Sequence, residues 1–388
     1  MKRADATVRS HRRIEEIGRK AWDACWRDCP PANPFVAYDF LDALEASGCV
    51  DPNTGWAPMH LELEGEDGSP AAVAPLYMKA HSQGEYVFDH AWADAYERAG
   101  GRYYPKLLIA SPFSPVTGPR LMARRGPGQE AARRALLSAA VELCRRTGAS
   151  TLGINFPTEA EQEFLGEVGL LRREGRQYHW RNPGYASFEE FLAELSSGRR
   201  KTIRRERREA ATGLTIEALT GKDLTEAHWD AFFAFYMDTG SRKWGRPYLN
   251  RKFFSLLSER MADEVLLIMV RRGSRWIAGA FNLIGGDCLF GRNWGCIEDV
   301  PFLHFELCYY QAIEQAIARR LERVEAGAQG EHKIARGYLP TLVYSAHWIA
   351  DPALGAAVAR YLEQERSAVE GEVEWLAQEY SPFRQAQG

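Results

Sequence analysis

Two stretches in the second half of the sequence set a proton acceptor beside fixed cations. Tyr310, Ile313, Ile317, Leu321 and Val324 recur at helical spacing and form the buried stripe of one helix. Glu306 lies one turn before Tyr310 and shares that inward face, close to the helix start. A carboxylate there suits either of two roles: a base taking a proton from an attacking amine, or a helix-start group bonded to backbone N–H groups. His304, just upstream, is the second candidate base. Beyond the glycine-broken segment 326–330 comes Glu331-His332-Lys333-Ile334-Ala335-Arg336-Gly337-Tyr338, where histidine, lysine, arginine and carboxylate crowd one loop. Such crowding is costly as packing and useful as chemistry. Lys333 or Arg336 is placed to steady an oxyanion. Arg292, Asn293 and Trp294 end a nearby strand.

A second set of residues suits phosphate. Arg199, Arg200, Lys201, Arg204, Arg205, Arg207 and Arg208 put seven cations within ten residues, with Glu206 against them. Ile203 and Ala210, seven apart, turn one stripe of such a helix inward and leave Arg200, Arg204 and Arg208 facing out. That face could hold phosphates of a nucleotide-linked acceptor or of tRNA, with affinity falling steeply as salt rises. Its plainer reading is a solvated helix with Glu194, Glu206 and Glu209 as local partners. In the first half, Arg124-Arg125-Gly126-Pro127-Gly128 leads into a helix from Gln129, and glycines at a helix N-terminus let N–H groups approach an anion. Pro127 removes one of those donors.

The elements that must carry these residues are written twice. Met59–Glu64 alternates like a strand, 66–69 is a turn, and Ala71–Lys79 returns. Glu264–Arg271, Trp276–Ile284 and Cys288–Asn293 form a three-stranded meander around the turns 272–274 and 285–286. Each sheet segment is followed by one long amphipathic helix, Gln129–Arg146 or Phe302–Arg320. Each helix leads into one strand, Ser150–Phe156 or Glu322–Ala326. Asn182-Pro183-Gly184 breaks the pattern and marks the boundary between the two halves.

Composition sets the outer limits. A chain of 388 residues exceeds the size at which one core keeps growing, which predicts two domains. With 45% hydrophobic and 26% charged residues it is no disordered chain. A net charge of -3 gives no global pull toward nucleic acid or membrane, so a polyanion site must be a local patch. No apolar run approaches the ~20 residues of a membrane span, and the basic N-terminus is followed by no apolar signal region. Seven scattered cysteines suit reduced thiols, and the expected location is the cytoplasm. Cys25 and Cys29 have no second ligand pair, so no metal site is expected. A G-x-S-x-G elbow is absent as well.

Meander, helix and further strand resemble the GNAT acyltransferase fold. Over nearly its whole length the chain resembles the FemAB-like predicted N-acyltransferases, the "peptidoglycan biosynthesis/recognition" family. The matching stretches are NPFVAYDFLDALEASG, HSQGEYVFDHAWADAYERAGGRYYPKL, SPFSPVTGPRL, QYHWRNPGYASFEEFLAELSSGRRKTIRRERREA, TGSRKWGRPYL, GRNWGCIEDVPFLHFELCYYQAIE and EAGAQGEHKIARGYLP. The resemblance implies an α/β protein of two tandem GNAT-like domains, 1–184 and 185–388, with mixed, mostly antiparallel sheets. It implies an N-acyltransferase moving an acyl or aminoacyl group to a primary amine. Acyl-CoA or aminoacyl-tRNA is then the cosubstrate, tRNA is a possible partner, and no cofactor is tightly bound. Lys333, with His332 and Tyr338, resembles the lysine of the Fem-type F-K-x-x-[FY]-G motif, although His332 replaces the aromatic and Tyr338 lies further on. The loop from Ala123 to Gly128 resembles the GNAT pyrophosphate loop [RQ]-x-x-G-x-[GA], with Ala123 in its first position. In this reading Glu306 or His304 takes the proton and Lys333 or Arg336 holds the oxyanion. Arg242, Lys243, Trp244, Arg292, Trp294, His332 and Tyr338 meet the substrate, while His81, Glu85, Tyr86, Asp89 and Trp92 line a far wall. The alternative is a non-catalytic binder of a peptidoglycan or nucleotide-sugar fragment.

Overall fold

The computed structural model describes residues 7–66, 68–243, 247–327 and 330–384, with only the backbone at 241–243. In chain order its strands are β1 (Val8–His11), β2 (Trp56–Pro58), β3 (His60–Glu64), β4 (Pro70–Ala74), β5 (Leu76–Lys79), β6 (Lys106–Ile109), β7 (Met122–Ala123) and β8 (Thr151–Asn155). They continue as β9 (Leu171–Arg181), β10 (Thr215–Leu219), β11 (Val265–Arg272), β12 (Arg275–Gly285), β13 (Cys288–Cys296), β14 (Arg323–Glu325) and β15 (Leu339–Ile349).

The chain forms two compact units. One takes the residues up to Gly175 with Val343–Val369; the other takes Arg176–Leu342 with the residues from Glu370 on. This corrects the division at Gly184 and the contiguous second half. Asn182-Pro183-Gly184 is a local turn, not a linker: the Asn182 side chain accepts from the N–H groups of Gly184 and Tyr185. The turn ends β9 and leads to the helix Phe188–Glu194.

Strand order repeats as the duplicated pattern requires. The first unit runs β2–β5–β6–β8–β15 and the second β11–β12–β13–β14–β9, with β10 outside β11. Directions match step for step: antiparallel, antiparallel, parallel, antiparallel. The fifth strand of each unit is exchanged in sequence. β9 follows the first unit's helices yet closes the second unit's order, and β15 does the reverse. The return strand expected over Ala71–Lys79 is broken at Pro75, which has no N–H to donate. β4 pairs in a separate sheet, β1–β3–β4–β7, while β5 pairs with β2 and β6.

In the first unit the helix Gln129–Thr147 buries Ala132, Leu136, Leu137, Ala140 and Cys144 against the sheet. In the second, Ile313, Ala316 and Ile317 pack with Leu266, Ile268, Val270, Ile277 and Leu289. Each buried leucine, isoleucine or valine among these contributes about 1.5–3 kcal/mol. The single helix expected over Phe302–Arg320 is instead composite: Leu303–Phe305 is α, Glu306–Tyr310 is a π turn, and Gln311–Ala318 is α again. Its entry residue, Phe302, has φ +64°, a left-handed backbone that a bulky residue seldom adopts. A π turn and a strained residue at one helix start are features that cluster at functional sites.

Candidate active site

β13 and β14 run parallel only from Cys288 beside Arg323 to Phe290 beside Glu325. Opposite β12 the register slips between Phe281 and Asn282, so Arg292 is the extra residue of a bulge. Pairing with β14 stops there. The segment after β14 turns into a short 3-10 helix, Glu331–Arg336, that holds the basic loop of the sequence.

Lys333 sits in that turn with 4% of its surface exposed. Its Nζ donates to the carbonyl oxygens of Ala326, at 2.5 Å, and Gly327, at 3.0 Å, and lies 5.7 Å from the centre of the Tyr178 ring. Among the described residues no carboxylate pairs with it. Burial lowers its pKa from the ordinary 10.5 to about 8. The next residue back, His332, is exposed, and its Nε2 is 3.0 Å from the Tyr309 hydroxyl. Partial burial, then Arg336 and Lys333, hold its pKa below the ordinary histidine value. His304 packs edge-on to Trp294 and Tyr309, each 5.4 Å away, and 6.4 Å from His332. Phe305 completes this aromatic group at 5.5 Å from His332. Trp294, His304, His332 and Lys333 are therefore brought together.

Three assignments change. Glu306 is buried, but its carboxylate accepts from Arg207 Nε and Nη2 at 3.0–3.3 Å and from the Gln311 amide at 2.8 Å. Both oxygens are committed, so Glu306 is an anchor for Arg207, not a poised base. Arg336 is likewise committed: Nη2 donates to both Glu206 oxygens at 2.9 Å and Nη1 to the His332 carbonyl at 2.7 Å. Its guanidinium lies 3.6 Å from the centre of the Phe305 ring. Arg336 shapes the turn and is not free to meet an oxyanion. Tyr338 is fully buried and donates to the Tyr309 carbonyl at 3.1 Å, which removes it from the substrate contacts. Arg292 and Trp294 are half-buried. Trp244 and the side chains of Arg242 and Lys243 lie outside the described residues.

The arginine helix spans Ser197–Ala211 and buries Ile203 and Ala210 as the stripe requires. It buries Glu206 too, which is therefore no solvated partner of the arginines. Arg207 also turns inward, over the Phe188 ring and onto Glu306 and Glu314. The outer face keeps Arg200, Lys201, Arg204, Arg205 and Arg208 around a recess of about 560 Å³. Only Glu189, on Arg204, and Glu209, 3.8 Å from Arg205, oppose them in ion pairs among the described residues.

The first-unit residues do other work. Glu85 and Asp89 are buried against Lys106, which touches both and reaches Ser82 at 2.8 Å. Burial alone would lower the Lys106 pKa, but the two carboxylates raise it. Burial pushes Glu85 up to about 7 and Lys79 down to about 7. The cavity at this cluster measures about 10 Å³, room for one water at most. Trp92 packs edge-on to His347 at 4.9 Å, under Arg173. His81 accepts from the Gln83 N–H at Nδ1 and so donates from Nε2 to the Thr54 carbonyl, 3.1 Å away. These four side chains pin a segment to the sheet and form no open wall; of the five, only Tyr86 is exposed.

Arg120, fully buried, donates to the carbonyls of Asn155, Val116 and Pro119 just past the end of β8. Glu161 caps the N–H groups of Arg120 and Leu121. At the glycine loop, the Arg125 N–H donates to the Asp28 carboxylate at 3.0 Å, and Arg124 reaches Ser69. An acid thus already occupies part of the anion position expected at Arg124, Arg125, Gly126 and Gly128. The sequence pattern singles out neither Arg120 nor Tyr309, and it sets Glu206 and Arg207 in the solvated arginine run and not in the interior. A lone carboxylate inside a run of cations was the available signal for Glu206. Among the described residues no group of three or more His, Cys, Asp or Glu could hold a metal ion. No helix among them is long and apolar enough to cross a membrane.

A family model described as FemAB-like, peptidoglycan biosynthesis/recognition, matches residues 13–385. No curated protein matches the chain. Among solved structures, FemX aligns with a TM-score of 0.55 at 13% identity, covering 88% of this chain and 98% of its own. The C-terminal domain of a putative lysylphosphatidylglycerol synthetase from Agrobacterium fabrum aligns at 0.55 and 12% identity, covering 90% and 96%. A conserved protein of unknown function from Bacteroides thetaiotaomicron aligns at 0.51 and 9% identity, covering 88% and 99%. At these identities the likeness is one of fold, that of two α/β units with the same strand order.

Proposed function

We propose, from the premise that this chain belongs to the FemAB-like family of peptidoglycan biosynthesis/recognition proteins, that it transfers an acyl or aminoacyl group to a primary amine, with the chemistry in the second unit. One observation carries the reading: Lys333 is a buried ammonium without a carboxylate partner among the described residues, held by two carbonyls where β13 and β14 part. A cation left unneutralised in a water-poor place is costly to fold and suits a negative charge that appears only during reaction.

The amine nitrogen attacks the carbonyl carbon of a thioester or ester, and the carbonyl oxygen takes the electron pair. Lys333 stabilises that oxygen. His332, neutral because its pKa is lowered, accepts the proton that the nitrogen sheds, and Tyr309 orients its ring. Collapse of the intermediate expels a thiolate or a ribose alkoxide, which takes the proton back from His332 to become a thiol or a hydroxyl. The aromatic group of Trp294, His304 and Phe305 supplies an apolar wall for the acyl group. The basic recess at Arg200, Arg204 and Arg208 favours a donor rich in phosphate, coenzyme A or charged tRNA.

Incubation with acyl-CoAs or aminoacyl-tRNA and a panel of amines, read by product mass, tests the proposal. Product formed by the wild type and lost with Lys333→Met supports it. Saturable binding of a peptidoglycan or nucleotide-sugar fragment, with no product from any donor, would instead identify a binder.

A further inference from the structure

The most basic helix of the second unit carries one buried carboxylate, and that carboxylate joins both elements of the proposed site. Glu206 is 5% exposed although Arg204, Arg205, Arg207 and Arg208 surround it in sequence. It ignores them. Its two oxygens take the Arg336 Nη2 at 2.9 Å, and Oε2 also takes the Tyr310 hydroxyl. Tyr310 ends the π turn, and its neighbour Tyr309 holds His332. Arg336 ends the 3-10 turn and clasps the His332 carbonyl, with Lys333 between them.

We infer that Glu206 is a positioning residue, fixing the His332–Lys333 turn against the π turn so that the lysine ammonium stays on its two carbonyls. The inference rests on the transferase reading for its catalytic consequence but not for its geometry. A buried ion pair adds little net stability over an apolar pair, because desolvating two charges offsets their attraction. What it does supply is direction: a carboxylate accepts from two donors at fixed angles, and both donors here belong to segments that carry the proposed chemistry. No exposed ion pair of the arginine helix makes such a link. Arg204 meets Glu189 and Arg205 meets Glu209, each at the surface.

Glu206→Gln keeps the size of the side chain but turns one acceptor into an N–H donor facing a guanidinium or a hydroxyl. The 3-10 turn then loses its tie, and Lys333 gains water. The groups that face Lys333 are the Tyr178 ring, Cys308, His179 and His332; burial lowers its pKa, Cys308 raises it, and burial is the larger effect. Its titration midpoint therefore reports mainly on burial.

The test is competitive labelling of the full-length protein with a trace acylating reagent across pH, with Lys333 quantified by peptide mass. In the wild type its midpoint should lie near 8. In Glu206→Gln the midpoint should rise by at least one pH unit, while the labelling of Lys106 in the first unit stays unchanged. Tyr310→Phe, which removes one donor and preserves shape, should move it in the same direction by less, and serves if the glutamine variant does not fold. On a substrate turned over by the wild type, kcat should fall about 10²-fold with KM little changed, the usual cost of displacing a reacting group by ~1 Å. A midpoint unmoved in folded Glu206→Gln, or unmoved in Tyr310→Phe when only that variant folds, overturns the inference. If the wild type turns over no substrate, the transferase reading fails, while the labelling result still decides the positioning role.

Discussion

Lys333→Met should change how stability depends on pH as well as activity. In the folded chain burial sets the Lys333 pKa at about 8, against an ordinary 10.5 when the chain is unfolded. That gap corresponds to about 3 kcal/mol, and the group is buried enough that solvent screening does not reduce it much. Below pH 8 both states hold the proton and the full penalty is present. Between 8 and 10.5 the unfolded chain holds a proton that the folded chain has lost, so wild-type stability rises with pH. Methionine has nothing to titrate. Relative to the variant, wild type should therefore gain about 2–3 kcal/mol between pH 7.5 and pH 10. Loss of the donor to the Ala326 and Gly327 carbonyls adds a cost of about 1–3 kcal/mol to the variant, but that cost does not vary with pH. Urea unfolding of both proteins at several pH values separates slope from offset. A stability difference that stays flat across this range would mean that Lys333 titrates like a solvated lysine, and the case for a reserved cation would collapse. Turnover should fall by roughly 10²–10³, the cost of one lost oxyanion donor.

The pH–rate profile of the wild type should be bell-shaped. Its acid limb should lie below the ordinary histidine value of 6.5 and come from His332; its alkaline limb should lie near 8 and come from Lys333. His332→Gln should abolish the acid limb alone, as steady-state rates over pH 5–9.5 would reveal. Replacing Arg200, Arg204 and Arg208 together by Gln should lower the salt slope of polyanion binding by about 2, measured by titration at several salt concentrations. Glu306→Gln leaves Arg207 short of a buried partner and should cost about 3 kcal/mol in urea unfolding; a loss below 0.5 would make the pair dispensable. Gly295→Ala places a methyl group 2.3 Å from the Phe235 carbonyl carbon and should destabilise the second unit by about 2 kcal/mol or more, read from its melting temperature.

Much of the architecture was legible in the residues, because hydrophobic period and turn chemistry are local. The meander β11–β12–β13, the helix from Gln129 and the strands β8 and β14 lie within two or three residues of where alternation and spacing put them. The inward stripe of Ile203 and Ala210 followed from the same periodicity. What periodicity reports is that a face is buried, not what it is buried against. Glu206 meets Arg336 across 130 residues of sequence, and Arg207 meets Glu306 across 99, so no local pattern could pair them. The exchange of β9 and β15 between the halves was hidden for the same reason, since a strand's sequence does not say which sheet it closes. Lys333 stood out by type and by the glycines before it. Its place as a buried cation on the carbonyls of Ala326 and Gly327, with no carboxylate pairing with it among the described residues, was decided by the tertiary structure where β13 and β14 part.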